Sequence, residues 1–148
     1  MNASVRHTEE VREEHDVRRR LSQATSVTRL RRESFDGADL SSVSMNRLSF
    51  DRCSFVGADL RLATLDSCFF KMCDFSRANL RGASMRDARF AGCDMRRADL
   101  RDCKLRGASL SAVNTGGDNG RTDITGVDWT GSTRDESTFE DAIDLSVE

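Results

Sequence analysis

Residues 35–60 read FDGADLSSVSMNRLSFDRCSFVGADL, and within them Phe35, Leu40, Met45, Phe50, Phe55 and Leu60 fall five apart. The same step continues through Leu65, Phe70, Phe75, Leu80, Met85, Phe90, Met95, Leu100, Leu105 and Leu110 without a miss. A second series runs two residues ahead of the first: Ala38, Val43, Leu48, Cys53, Ala58, Ala63, Cys68, Cys73, Ala78, Ala83, Ala88, Cys93, Ala98, Cys103, Ala108 and Val113. Apart from Leu48, these are small and apolar. A period of five matches neither a helix face nor an alternating strand, so the chain must turn a corner every five residues. With four sides per coil, residues twenty apart stack, and the central residues sort by column. Phe35, Phe55, Phe75 and Met95 form one column, and Leu40, Leu60, Leu80 and Leu100 the next. Met45, Leu65, Met85 and Leu105 follow, then Phe50, Phe70, Phe90 and Leu110. This reading places two aromatic columns on opposite sides of the coil, with the aliphatic columns between them. A lone coil cannot bury its own apolar residues, so stacking at about 4.7 to 4.9 Å per layer creates the core.

The triplets Ala38-Asp39-Leu40, Ala58-Asp59-Leu60, Ala78-Asn79-Leu80 and Ala98-Asp99-Leu100 resemble the A(D/N)LXX consensus of the pentapeptide-repeat family. The resemblance implies an all-β solenoid, a right-handed quadrilateral parallel β-helix, here of four to five coils with a short N-terminal helix. It also implies that the central residue and the small residue before it point inward.

The expected organisation has four parts. Residues 1–29 are a charged helical arm or cap, 30–113 the β-helix, 114–121 a loop, and 122–148 a degenerate final coil with an acidic tail. Residues 8–22 read as a helix with Thr8 as N-cap and Glu9 and Glu10 at its positive end. An open solenoid exposes strand edges at both ends, which argues for capping segments. Leu30 lies on the five-residue step, so the first coil begins before Phe35. The step breaks after Val113, at the turn-rich residues 114–120, and resumes shifted by one at Ile124, Trp129 and Phe139, with Arg134 in a central position.

Charge is unevenly spread. Residues 1–32 hold eight Arg against five acids, 33–113 hold thirteen Lys or Arg against eleven acids, and 114–148 hold two Arg against nine acids. The N-terminal stretch has no apolar signal-peptide core and no run of eighteen apolar residues occurs, so a soluble cytoplasmic protein without membrane contact is expected.

The five cysteines all occupy the small inward position and lack CxxC spacing, so they read as buried hydrophobes rather than disulfides or zinc ligands. No cofactor fingerprint, Ser/His/Asp set or phosphate-binding loop is present, and no cofactor or metal is expected. Asp39, Asp59, Asn79 and Asp99 form an outward column whose spacing of about 5 Å is that of retaining glycosidases. A hydrolase built on this column is one reading. Corner Asp and Asn bonded to nearby backbone amides is the stronger one.

Arginines collect outward on the later coils, with Arg61, Arg81 and Arg101 in one column and Arg77, Arg86, Arg89, Arg96, Arg97 and Arg106 around them. Arg61, Arg77, Arg81, Arg86, Arg97, Arg101 and Arg106 are the candidate partner-binding face, against the reading that they are merely solvated. Interleaved acids and a lack of exposed aromatics make nucleic acid the less favoured partner. The expectation is a non-enzymatic scaffold for a protein partner. The resemblance supplies an alternative, since some bacterial family members mimic duplex DNA and bind DNA gyrase or topoisomerase IV, giving fluoroquinolone resistance. The net positive repeat region departs from that pattern. The basic late coils and acidic tail could pair within one chain or head to tail in a homodimer.

Overall fold

The computed structural model describes residues 3–113, 120–139 and 142–144. A helix, α1 (Ala3–Gln23), precedes seven short strands: β1 (Arg29–Arg31), β2 (Ser49–Asp51), β3 (Phe69–Lys71), β4 (Arg89–Ala91), β5 (Ser109–Ser111), β6 (Thr122–Asp123) and β7 (Ala142–Ile143). β1 to β5 form one parallel sheet in sequence order, each strand paired twenty residues on, as in Leu30 with Phe50 and Phe50 with Phe70. Parallel bridges mark the other three sides, running from Ser34 to Ser54, Asp39 to Asp59 and Ser44 to Thr64. The chain is therefore a four-sided parallel coil of about five turns. The sheet forms its first face, and the Ser34, Asp39 and Ser44 columns form its second, third and fourth.

Most corners are turns that start at a central residue, whose carbonyl accepts the N–H three residues later, as from Ala58 to Phe55 at 3.0 Å and from Ala83 to Leu80 at 2.9 Å; the bends that follow β2, β3 and β4 are held instead by their bonds to the next coil. The residue between, two after the central one, has positive φ, as type II turns require. Glycine fills some of these corners, but Arg47, Leu62, Met72 and Arg97 adopt φ of 64°, 59°, 53° and 59°. The same residues donate their N–H to the next coil, as Arg52 does to Lys71 O at 2.9 Å. Stacking thus over-determines a backbone conformation that the side chain alone disfavours.

The core is a single stack. Phe55, Leu60, Phe70, Phe75, Leu80, Phe90 and Leu100 are at most 1% exposed, and Phe35, Leu40, Phe50 and Leu110 are likewise buried. The aromatic columns are not on opposite sides. Phe50 precedes Phe55 by one corner, so the two columns share an edge and meet as alternating stacked and T-shaped pairs. Phe70 stacks on Phe50 at 5.0 Å and meets Phe75 edge-on at 4.9 Å.

α1 closes the N-terminal end through its C-terminal half. Leu21 is buried against the first coil, with Val17 and Ala24 beside it. Arg18 donates to the carbonyls of Asp39 and Ser41 at 3.0 and 2.9 Å, while Arg20 pairs with Glu33 and lies 6.0 Å above the Phe35 ring. The helix begins at Ala3 rather than at Thr8, and its first turn holds no acid. Thr8 is an interior helical residue. No Gly or Pro interrupts residues 3–7, so nothing local stops the helix earlier. No helix among the described residues is long and apolar enough to cross a membrane.

At the other end the stacking step changes from twenty to twenty-nine residues: Asp94 bridges Asp123, Asp99 bridges Asp128, and Ser109 bridges Thr138. The step lengthens by nine residues between β5 and β6, and most of the turn-rich stretch read from sequence, 114–119, lies outside the described residues. Thr122 is fully buried at the rejoining point, where its Oγ1 reaches Ser111 O at 2.8 Å and Phe90 O at 3.2 Å and accepts Cys93 N–H at 3.2 Å. The twenty-residue step then returns, since β6 pairs with β7 as Thr122 with Ala142. Ile124, Trp129 and Phe139 pack partly buried on the core, and Arg134 lies 5.6 Å from the Trp129 ring.

Candidate functional site

Side chains that face outward on the third face are held by their own backbone. Oδ1 of Asp39, Asp59, Asn79, Asp99 and Asp128 accepts the N–H two residues on, at 3.0 to 3.1 Å in every coil. A short polar side chain at this position can fold back on the corner, which is why Asp and Asn recur there. On two coils an arginine closes the arrangement. Arg61 donates to Asp59 through Nε and Nη2 at 2.9 and 2.7 Å, and Arg101 repeats this on Asp99. Arg81, whose own coil offers only Asn79, reaches on to Asp102 at 3.2 Å. The first coil has Ser41 in place of an arginine, and Arg18 of α1 stands in, 3.4 Å from Asp39 Oδ1.

These partners set the protonation chemistry. Hydrogen bonds from Ser41 hold Asp39 below the ordinary carboxylate range, Arg61 does so for Asp59, Arg101 for Asp99, and Thr130 for Asp128. General acid catalysis requires a carboxyl whose pKa is raised, and every shifted member of this column moves the other way. The column is built to stay ionised.

The seven arginines read as one face lie on three edges. Arg61, Arg81 and Arg101 share the edge between the third and fourth faces. Arg77 and Arg97 sit at positive-φ corners on the edge between the second and third faces, beside a groove of about 520 Å³ that Ser76, Arg96 and Asp123 also line. Arg86 and Arg106 lie diagonally opposite, on the edge between the fourth and first faces, and Arg106 pairs with Glu136 at 3.0 Å. A twenty-residue sort applied to the outward positions as well as the inward ones would have separated them.

That sort would also have exposed a set the sequence reading passed over. Arg29, Arg31 and Lys71 point outward from the β1–β5 sheet, with Phe69 among them and Arg89 over its ring at 5.4 Å. Phe69 lies off the five-residue step, beside the inward Phe70, so the periodicity alone does not mark it.

The cysteines have a more specific role than filling space. All five are buried, and each Sγ donates to the carbonyl twenty-three residues earlier: Cys53 to Leu30, Cys73 to Phe50, Cys93 to Phe70, Cys68 to Met45 and Cys103 to Leu80. Burial pushes the Cys68 and Cys103 thiols up to about 12. They are donors between coils rather than nucleophiles. Among the described residues no group of three or more His, Cys, Asp or Glu is placed to hold a metal ion.

A family model described as a pentapeptide repeat region matches residues 43–120, just over half of the chain. No curated protein matches the sequence. Among solved structures, a pentapeptide repeat protein (Rfr23) of the cyanobacterium Cyanothece 51142 is similar at 19% identity and a TM-score of 0.61, with 78% of this chain and 84% of that one covered. QnrB1, described as a plasmid-mediated fluoroquinolone resistance protein, is similar at 18% identity and a TM-score of 0.56, with 81% of this chain and 68% of that one covered. A thylakoid-lumen pentapeptide repeat protein of Arabidopsis thaliana shares 20% identity at a TM-score of 0.50, covering 77% of this chain and 66% of its own. At such identities the likeness is one of fold.

Proposed function

The chain belongs to the pentapeptide-repeat family, and from that premise we propose that it is a non-enzymatic scaffold whose rigid side faces dock a protein partner. The observation that carries this reading is the ordered comb of charge along the third face. Asp59 with Arg61 and Asp99 with Arg101 are already fixed on their own corners before any partner arrives. Binding a protein normally costs about 0.5 to 1.5 kcal/mol for each flexible side chain that must be immobilised, and a comb held this way avoids much of that cost. The lowered carboxylates favour recognition over proton transfer.

The test is affinity capture with the whole chain and with the triple variant Arg61→Glu/Arg81→Glu/Arg101→Glu. A protein retained by the first and lost by the second supports docking on this edge. Equal retention by both removes it.

A second reading, a DNA-mimic modulator of DNA gyrase or topoisomerase IV, is favoured by acidic columns on adjacent faces: Asp74, Asp94 and Asp123 on the second, Asp39, Asp59, Asp99 and Asp128 on the third. Duplex DNA carries one charge per roughly 1.7 Å of axis. One carboxylate per face per coil gives at best one charge per roughly 2.4 Å over two faces, at a rise of about 4.8 Å. Arg61, Arg96 and Arg101 each neutralise an acid of their own coil, which dilutes the field further. The scaffold reading is therefore preferred. Inhibition of purified gyrase in a supercoiling assay, or its protection from a fluoroquinolone, would transfer the preference to the mimic.

A further inference from the structure

The outer side of the β1–β5 sheet differs in charge from the faces just described. Its outward positions hold four cations, Arg29, Arg31, Lys71 and Arg89, against the single acid Asp51. Asp51 is engaged by Arg31 at 3.4 Å and by Arg52 at 3.0 Å, and no ion pair among the described residues involves Arg29, Lys71 or Arg89. Arg32 and Arg52 extend the basic strip along its edge. Between β1 and β3 the surface is hollowed into a concavity of about 420 Å³, lined by Arg29, Arg31, Asp51, Phe69 and Lys71.

The size of the strip restricts what it can hold. Three residues of strand at about 3.3 Å each, and five strands about 4.8 Å apart, make it roughly 10 Å wide and roughly 20 Å long. Folded proteins bind stably through about 800 Å² per partner, several times that area. An extended polyanion one strand wide fits. Phe69 then distinguishes between polyanions. Arg89 covers one side of its ring at 5.4 Å, while its neighbour on the other side is Ser49, too small to cover the opposite face. A base has a flat π face to lay there, and an acidic peptide has none.

We propose that the outer face of β1–β4 binds single-stranded nucleic acid, with phosphates on Arg29, Arg31 and Lys71 and a base against Phe69. The site lies on a different side of the coil from the Asp59–Arg61 comb, so neither reading depends on the other. Interleaved acids and the lack of exposed aromatics counted against nucleic acid; on this face a single acid remains, and Phe69, partly buried, turns the outer part of its ring outward.

The test is fluorescence anisotropy of a labelled fifteen-nucleotide oligothymidylate with the full chain, run across a salt series beside a labelled polyglutamate of equal length. The double variant Arg29→Ala/Lys71→Ala is expected to weaken oligonucleotide binding at least about tenfold. It should also flatten the salt slope by about 1.4, the loss of two phosphate contacts at about 0.7 each on a single strand. Phe69→Leu, which keeps an apolar side chain, is expected to weaken binding by about 5- to 150-fold with the slope unchanged. Arg77→Ala/Arg97→Ala, on another edge, should match the parent, and circular dichroism should show all variants folded. Absence of oligonucleotide binding at low salt overturns the proposal. Equal affinity for polyglutamate together with indifference to Phe69→Leu also overturns it, assigning the face to an acidic peptide.

Discussion

Replacing Phe70 with alanine empties the middle of the aromatic stack. The ring is fully buried, lies flat between Phe50 and Phe90 at 5.0 and 4.9 Å, and meets Phe75 and Phe55 edge-on at 4.9 and 6.1 Å. Buried Phe→Ala changes cost about 3 to 5 kcal/mol, and each aromatic pair contributes about 0.5 to 1.5 kcal/mol beyond burial. With four ring partners, Phe70 belongs near the top of that range, at about 5 kcal/mol. Phe35, in the first coil, has only two ring partners, Phe50 at 6.3 Å and Phe55 at 5.0 Å, and its loss should cost nearer about 3 kcal/mol. A mid-stack gap also breaks the nearest-neighbour contacts on which a solenoid depends, leaving two short stacks. Against a total stability of about 5 to 15 kcal/mol, Phe70→Ala should leave the domain marginal or unfolded while Phe35→Ala stays folded. Guanidinium unfolding followed by far-ultraviolet circular dichroism and by the fluorescence of Trp129 in the last coil measures both. A Phe70→Ala midpoint shift no larger than that of Phe35→Ala would refute the idea that ring partners, rather than burial alone, set the cost.

Gly57 and Gly92 both sit at positive-φ corners, but a Cβ on Gly57 meets open space while one on Gly92 would stand 2.8 Å from Val113 Cγ2 and 3.0 Å from Gly120 O. Gly57→Ala should therefore cost about 1 to 2 kcal/mol for backbone strain, and Gly92→Ala at least about 1 kcal/mol more, as read by thermal melts. Leu21→Ala, by loosening α1 from the first coil, should cost about 2 to 5 kcal/mol and bring concentration-dependent association in light scattering as strand edges open. The thiols should resist an alkylating reagent at pH 8 in the native protein and all five should react in guanidinium, with mass spectrometry counting the adducts. Because Asp39, Asp59, Asp99 and Asp128 are held below the usual carboxylate range, their contribution to stability is present above about pH 4 and disappears as pH falls below it. The melting temperature should be level from pH 7 to about pH 5 and then drop, with a shallower drop in Asp59→Asn/Asp99→Asn.

Counting by five and then by twenty was enough to assign every inward position from Phe35 to Leu110, because the repeat is local and each residue's direction follows from its place in it. The same count contains the adjacency of the aromatic columns, since Phe50 and Phe55 are one corner apart. It also contained the division of the arginines among three edges. Other features were beyond any count. Arg18 completes the Asp39 corner only because α1 folds back across the first coil, a contact between segments twenty-one residues apart with no shared period. Thr122 closes the core beside Phe90 only because the step lengthens by nine residues there, and its burial depends on where the chain rejoins. Phe69 reads as one aromatic beside another until the sheet turns it outward between Ser49 and Arg89. Sequence alone determined the coil because periodicity is carried by neighbours along the chain. The caps, the slip and the surface sites were decided by tertiary structure, because they arise where non-repeating segments meet the repeat.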